Sequence, residues 1–318
     1  MIDAAWCRAR LERALRLREE FGLAEWGRLV HAEANGLPGL VIDRYGDTLV
    51  LSCNTAGAEQ LAGPLLDAIE EMGLASTIVA RNDSPLRALE GLPRETRILR
   101  GTPGEVWVEE AGVRFPVDLA EGQKTGWYYD QRPQRALAAR LAPDRRVLDL
   151  FCHSGAFGLI AARAGAASVL LVDSSGPALA LARRAAEANG LAARVDFAQE
   201  DAEAAVSRLA GAGERFGLVI CDPPPFARSR KDVPAALRAY ERLTRRVAGL
   251  VEAEGYLLIA TCSHHLAGAA FLEAVASGLA RARREGRVVA EGGAGPDHPL
   301  HPALPESRYL HALLIQLF

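Results

Sequence analysis

The chain has little that would mark a disulfide-stapled, membrane-embedded or metal-organised protein. Its five cysteines, Cys7, Cys53, Cys152, Cys221 and Cys262, are odd in number, widely spaced and never in a CxxC pair. That pattern argues against a disulfide framework or a zinc cluster and points to a reducing, cytoplasmic setting. No apolar stretch reaches about 18 residues, the length a membrane helix needs. The opening segment MIDAAWCRARLERALRLREE mixes both charges and reads as neither a secretory leader nor a span. Positive charge is not in excess: 37 Lys and Arg stand against 40 Asp and Glu, for a net charge of −3. A general nucleic-acid coat is thereby excluded, and any nucleic-acid contact has to be a local patch. His298 and His301, in DHPLHP, have no Cys or carboxylate at ligand spacing, so no metal is expected. Repeats, low-complexity segments and the GxGxxG dinucleotide fingerprint are also missing.

What is present suits two domains. At 318 residues and 49% hydrophobic content, the chain can bury sizeable cores. Residues 3–20 carry a helical pattern that Gly22 ends. RLVHAEANGLPGLVIDRYGDTLVLSCN then reads as hairpins, with turns at NGLPG and YGD. A helix over 58–72, a strand over 77–80 and a hairpin turning at Ala111-Gly112 complete a small α+β domain, expected over 1–115. Beyond it, over 116–318, strands alternate with helices, which implies a doubly wound, mostly parallel sheet. The expected strands are RVLDLF, SVLLVD, RVDFAQED, GLVICDPP, GYLLIATC and RVVAEG, with YLHALLIQLF as an antiparallel edge strand. Helices are expected over 156–164, 177–189, 234–252 and 267–284, with Pro177 and Pro234 in first turns.

In such a sheet, ligands bind beyond the carboxyl ends of the strands, at the point where strand order reverses. After the first strand comes a loop with Asp149, Phe151, Ser154, Gly155, Ala156 and Phe157, whose glycine admits a ligand close to the backbone. Lacking the dinucleotide glycines, it suits a ligand without phosphates, such as S-adenosylmethionine. Asp173, followed by Ser174, ends the second strand, where a carboxylate can accept both ribose hydroxyls. Asp201 and Ala202 follow the third, beside the expected adenine position. Each Asp alone is as well explained as a helix cap. The series, completed by Asp222-Pro223-Pro224-Pro225-Phe226 after the fourth strand, has the order and spacing of a class I methyltransferase.

In DPPPF the prolines stiffen the loop, Asp222 offers a carboxylate and Phe226 a stacking face for a planar base. Cys262, in Thr261-Cys262-Ser263-His264-His265, lies after the fifth strand on the same rim and is the candidate nucleophile. A thiolate adding to C6 of a cytosine turns C5 into an enamine carbon that can take a methyl group, and elimination restores the ring. His264 is a conceivable acceptor for the thiol proton, Asp222 would hold the pyrimidine N3, and the base that removes the C5 proton is not readable. Cys262 as a small buried apolar residue is the competing reading. Alternation along the strand should turn Cys221 away from Asp222. The junction GQKTGWYYDQR offers Gln131 and Arg132 to the cofactor and Lys124 and Tyr128 to substrate, with core packing of Trp127 or Tyr129 the alternative. Arg228, Arg230 and Lys231, then Arg238, Arg242, Arg245 and Arg246, could neutralise phosphates or form a solvated face.

Taken together, NGLPGLVIDRYGD, GQKTGWYYDQR, VLDLFCHSG, LVDSS, the NGL at 189–191, CDPPPF and TCSHH resemble bacterial large-subunit ribosomal RNA methyltransferases of the cytosine-5 type, over nearly the whole chain. The resemblance implies a seven-stranded Rossmann-like domain and S-adenosylmethionine held by the 149–157 loop, Asp173 and Asp201. It also implies Cys262 as nucleophile with Asp222 beside the base, S-adenosylhomocysteine as product and ribosomal RNA as partner. Two departures from the family stand out: the usual preceding RNA-binding domain of the PUA kind is expected to be lacking, and Pro225 stands where a Lys is common. A purine-nitrogen methyltransferase, a small-molecule methyltransferase and a non-catalytic cofactor-binding RNA assembly factor stay open as alternatives, as does a homodimer through the small domain.

Overall fold

The computed structural model describes residues 2–119 and 126–318; Lys124 lies outside the described residues. The chain divides into two compact units. One comprises residues 1–109, 116–130 and 294–305; the other, residues 110–115, 131–293 and 306–318. Among the described residues no helix is long and apolar enough to cross a membrane.

The first unit opens with α1 (Ala4–Glu20), whose N-terminus is capped by Asp3 accepting from the Trp6 N–H at 2.9 Å. β1 (Trp26–His31), β2 (Leu40–Tyr45) and β3 (Thr48–Cys53) form an antiparallel meander. The helices α2 (Ala56–Gln60) and α3 (Ala62–Glu71) then lead to β4 (Thr77–Asn82), which runs parallel to β3, and to the antiparallel edge strand β5 (Glu95–Arg100). β5 is absent from the sequence expectation because its residues are largely exposed and carry no alternation of burial. The core joins Cys7, Leu11 and Ala14 of α1 to Leu29, Leu40, Ile42, Leu49 and Leu51 of the sheet.

Polar groups organise the other end of α1. Arg18, buried, donates to the carbonyls of Arg28 (2.8 Å) and Asp297 (2.9 Å) and to the Asn35 side chain (3.2 Å). Burial pulls its pKa down to about 10. Asn35 also accepts the His31 N–H, so the turn that begins at NG is tied to the helix from inside. Asp43, fully buried, receives Arg28 through two bonds of 2.8 and 3.0 Å. β6 (Val106–Glu110) and β7 (Val113–Val117) pair as a separate two-stranded sheet, and the hairpin tip counts with the second unit.

The second unit begins with α4 (Arg132–Leu141) and β8 (Arg146–Leu150), and alternates through α5 (Ala156–Arg163), β9 (Ser168–Asp173), α6 (Gly176–Ala188), β10 (Val195–Gln199), α7 (Ala202–Gly211) and β11 (Phe216–Cys221). It ends with α8 (Val233–Val247), β12 (Val251–Thr261), α9 (Gly268–Arg281), β13 (Gly286–Gly292) and β14 (His311–Leu317). The sheet order is β10-β9-β8-β11-β12-β14-β13. The doubly wound, mostly parallel fold is thus as expected, with only β14 reversed. Strand order turns back between β8 and β11. On one face, Leu148, Leu150, Val219, Cys221, Leu257 and Ile259 pack against Val206, Tyr240, Leu243, Phe271 and Val275 of the helices.

Three expectations are corrected. β14 is antiparallel but not an edge: it lies between β12 and β13, and its mostly buried run suits an interior strand, while the exposed β13 takes the edge. The helix read to residue 252 ends at Val247, because Val251 pairs with Phe216 and is drawn into β12. Arg284 fastens that junction by donating to the carbonyls of Ala248 and Val251, each at 2.9 Å. Finally, α4 and α7 were not foreseen; both are rich in Ala, α4 also in Arg, with a thin apolar stripe. The NGL after α6 also finds its reason: the Asn189 amide exchanges two hydrogen bonds with the backbone of Arg114, at 2.9 and 2.7 Å, in the manner of a strand partner.

Asp43→Ala tests the buried polar anchor of the first unit. It strips Arg28 of its bidentate carboxylate and is expected to cost about 3 kcal/mol, read as a lower urea midpoint of the first unfolding transition. A loss under about 0.5 kcal/mol would assign the pair no role.

Candidate active site

The geometry of the site follows from strand register. Cys221 pairs with Leu150 of β8 on one side and with Ile259 of β12 on the other, while Leu150 pairs with Val172 of β9. The next residues, Phe151, Asp173 and Asp222, therefore share one rim. β12 continues two residues further, so Cys262 stands just beyond that row. Cys262 is half-buried where the chain leaves β12. Cys221, by contrast, is wholly buried in the core under α8 and α9, where desolvation drives its thiol pKa far up. Cys152 is likewise buried, with its pKa raised by desolvation.

The loop after β8 is held in an unusual backbone shape. Phe151 and His153 have φ of 60° and 49°, and Gly155 has φ of 75° at the N-terminus of α5. Positive φ costs a non-glycine residue about 1–2 kcal/mol, so the surroundings must impose it. They do so through carboxylates. The His153 N–H donates to Asp173 Oδ2 at 2.8 Å, and the Gly158 N–H donates to Asp149 Oδ2 at 2.9 Å. A Cβ on Gly155 would come within 2.8 Å of the Leu171 side chain, and one on Gly158 within 2.3 Å. These glycines let α5 press against β9. Ser154 and Phe157 are buried in the same loop, and Phe151 and Ala156 are half-buried.

Asp149 is the most perturbed acid. It is buried, and its Oδ1 has no hydrogen-bond partner among the described residues. Desolvation raises its pKa to about 8, assisted by the charges of Asp222 and Asp173 and opposed by the Gly158 N–H and Arg135. Asp173 keeps both oxygens in use, Oδ1 accepting from the Ser175 N–H at 2.8 Å, while Ser174 is exposed at the turn. Asp201 caps α7: its Oδ1 accepts from the Glu203 and Ala204 N–H groups, and Ala202 is the buried first residue of the helix. The bland reading of Asp201 as a cap is therefore true of it, with Oδ2 outside both cap bonds.

On the far side of the switch point, Asp222 Oδ1 accepts from Gln131 Nε2 at 2.8 Å. The Gln131 amide is itself oriented: its Oε1 accepts from Gln134 Nε2 at 3.2 Å, and Gln134 also donates to the Gly293 carbonyl at 2.9 Å. Gln134 escaped the sequence reading, although Gln at i and i+3 on a helix was a usable signal. Arg132 faces Glu110 at 3.6 Å, the carboxylate that also takes Arg135 through bonds of 2.6 and 2.7 Å. Pro223 is buried and Pro224 exposed, and the Phe226 ring lies 4.8 Å from the ring of Tyr240. His264 stacks on Tyr309 at 4.8 Å. Arg228, Arg230 and Lys231 are exposed, and Arg228 and Arg230 make no ion pair among the described residues. Arg238, Arg242 and Arg245 share the outer face of α8, whereas Arg246 is engaged by Glu203 at 2.9 Å.

Tyr128, half-buried, belongs to the first unit. Beside it Trp127 and Tyr129 are buried, and the Tyr129 hydroxyl donates to the Arg44 carbonyl at 2.8 Å. Among the described residues no group of His, Cys, Asp and Glu is arranged to hold a metal ion. Three carboxylates at the carboxyl ends of β8, β9 and β11, one with an orphaned buried oxygen, instead fit an organic cation bearing an ammonium and ribose hydroxyls.

Residues 88–291 match the family model described as S-adenosylmethionine-dependent methyltransferase. The chain is 38% identical to the ribosomal RNA large subunit methyltransferase I of Photobacterium profundum, over 89% of this chain and 72% of that protein. It is 36% identical to the protein of the same name from Shewanella denitrificans, over 100% and 81%. Among solved structures, a methyltransferase complexed with SAH aligns with a TM-score of 0.86 at 21% identity, covering 99% of this chain and 82% of the other. The M. jannaschii tRNA m1G37 methyltransferase aligns with a TM-score of 0.60 at 17% identity, over 88% and 76%. At those identities the two structures bear on the fold alone.

The raised pKa of Asp149 sets a pH dependence for the ligand-free protein. A folded-state pKa of about 8 against an ordinary value near 4 means the folded chain holds the proton more tightly. The associated stability is full below pH about 4 and is lost as pH rises through 8. Asp149→Asn removes this loss, so wild type should fall in thermal midpoint relative to the variant by several degrees between pH 5 and 8.5. Parallel midpoints across that range would contradict the assignment.

Proposed function

Because the chain belongs to the S-adenosylmethionine-dependent methyltransferases, we propose that it transfers the methyl group of its cofactor to C5 of a cytosine in large-subunit ribosomal RNA, through a covalent adduct on Cys262. The observation that supports this reading is the register of β8, β11 and β12: β12 runs two residues past the row of Leu150, Cys221 and Ile259, and the half-buried Cys262 follows it. The names of the curated relatives support RNA as substrate.

When bound, S-adenosylmethionine supplies the electrophilic methyl. Asp149 Oδ1 is the proposed partner of its ammonium, Asp173 of its ribose hydroxyls, and Asp201 with Ala202 of its adenine edge. Phe151, Ser154, Gly155, Ala156, Phe157 and Ser174 would line it, with Gln131 and Arg132 bracing the wall. The Cys262 thiolate adds to C6 of the base, forming an S–C bond and pushing electron density to C5. C5 would take the methyl group that the cofactor supplies, with S-adenosylhomocysteine as the product. Loss of the C5 proton then expels the thiolate and restores the C5=C6 bond. Asp222, oriented through Gln131, would hold the pyrimidine N3 while charge develops. Pro223, Pro224 and Phe226 would shape the base slot. Arg228, Arg230 and Lys231, with Lys124 and Tyr128, are the proposed substrate contacts. The small domain, over 1–115, is assigned to the RNA side, in a cytoplasmic enzyme.

The test is methyl transfer to deproteinised, unmodified large-subunit ribosomal RNA, followed by nucleoside analysis. 5-Methylcytidine should form with wild type and fall at least about 10³-fold with Cys262→Ala, the scale of losing a covalent nucleophile. Label on a purine, or 5-methylcytidine undiminished in Cys262→Ala, would overturn the adduct.

A further inference from the structure

We infer that Tyr240 is a positioning residue that ties the loop bearing Asp222 and Phe226 to the turn bearing Cys262, so that the two sides of the substrate base are held at a fixed spacing. The inference rests on the proposed role of Cys262.

Tyr240 sits on α8 and is wholly buried, packed edge-on against Phe271 at 4.9 Å. A phenylalanine would fill the same volume without a polar atom to satisfy, so the hydroxyl needs its own account. It donates to Thr261 Oγ1 at 2.8 Å. Thr261 is the last residue of β12, and the same Oγ1 accepts the Ser263 N–H at 3.4 Å, so one threonine oxygen braces the residues on either side of Cys262. Ser263 completes the connection. Its buried hydroxyl accepts the Ala227 N–H at 3.4 Å. Ala227 directly follows Phe226, whose ring rests on the ring of Tyr240 at 4.8 Å.

One side chain thus holds the substrate loop by its ring and the nucleophile turn by its hydroxyl. Burial, with Cys262 and Asp222 nearby, pushes the hydroxyl pKa upward, which keeps it a neutral donor. It works through Thr261 and Ser263, without touching substrate. The spacing it sets matters because thiolate attack at C6 requires the base, gripped by Asp222 and Phe226, to lie within reach of sulfur. A misplacement of about 1 Å costs on the order of 100-fold in rate.

The test uses the full chain with Tyr240→Phe, which keeps the ring and deletes the tether. Amide hydrogen exchange should rise together in residues 223–232 and 262–266, while residues 151–157 stay protected. kcat for 5-methylcytidine formation should drop about 10- to 100-fold, with KM for S-adenosylmethionine within about twofold. Ser263→Ala, which cuts the same connection from its other end, should reproduce both effects, and serves if Tyr240→Phe does not fold. The double variant should be no slower than the slower single, as for groups in one network. Exchange rising in one segment only or in neither, kcat within twofold of wild type, or single effects that multiply would overturn the tether. Activity retained by Cys262→Ala in the same assay would sink the nucleophile reading instead, and the exchange data would still decide the tether.

Discussion

The pairing of β11 with both β8 and β12 is the constraint on which the catalytic unit depends. Parallel strands in register end together, so the row Leu150, Cys221 and Ile259 fixes where each following loop begins. Because the chain leaves β8 outward to β9 and β10 and returns to β11 on the other side, the loops after β8 and β11 diverge and leave a crevice between them. β12 runs two residues past that row, and Cys262 follows it. A one-residue slip in either pairing would turn Asp222 into the core and Cys221 toward the ligand, exchanging a carboxylate for a thiol.

That geometry concentrates negative charge. Burial, assisted by the charges of Asp222 and Asp173, raises the proton affinity of Asp149. A rim of like charges is unfavourable to the empty fold and favourable to a cation, which is the electrostatic character of a sulfonium ligand with an ammonium. The backbone of 151–155 carries the matching cost in its positive φ angles, held by the same carboxylates that would meet the ligand. Binding affinity and local strain are thus tied to one set of oxygens, and the glycines at 155 and 158 are needed less for flexibility than for the closeness of α5 to β9.

Much of this was legible in the sequence, for identifiable reasons. The parallel strands announce themselves as short apolar runs with chemistry-bearing residues at their carboxyl ends, Asp173 closing β9, Asp222 after β11 and Cys262 after β12. Edge and end effects were less readable. β5 is polar because an edge strand can be, and β14 was taken for an edge from its terminal place in the chain although its apolar run suits the sheet interior. α7 was missed because Asp201 was read for its ligand role, while its Oδ1 signals a helix start. The spacing of Gln131 and Gln134 was there to be read, but the Gly293 carbonyl that Gln134 reaches lies 159 residues on, and Tyr240 lay beyond reach because its partner is 21 residues away.

The covalent step is the centre of the account, and it can be observed without turnover. Incubating the enzyme and its cofactor with ribosomal RNA made with 5-fluorocytidine allows thiolate addition and methyl transfer but blocks the elimination, since fluorine cannot leave as a proton does. The account predicts a denaturation-resistant protein–RNA complex whose cross-linked peptide contains Cys262. Methylated 5-fluorocytidine with no covalent complex, or a complex through any other residue, would contradict it.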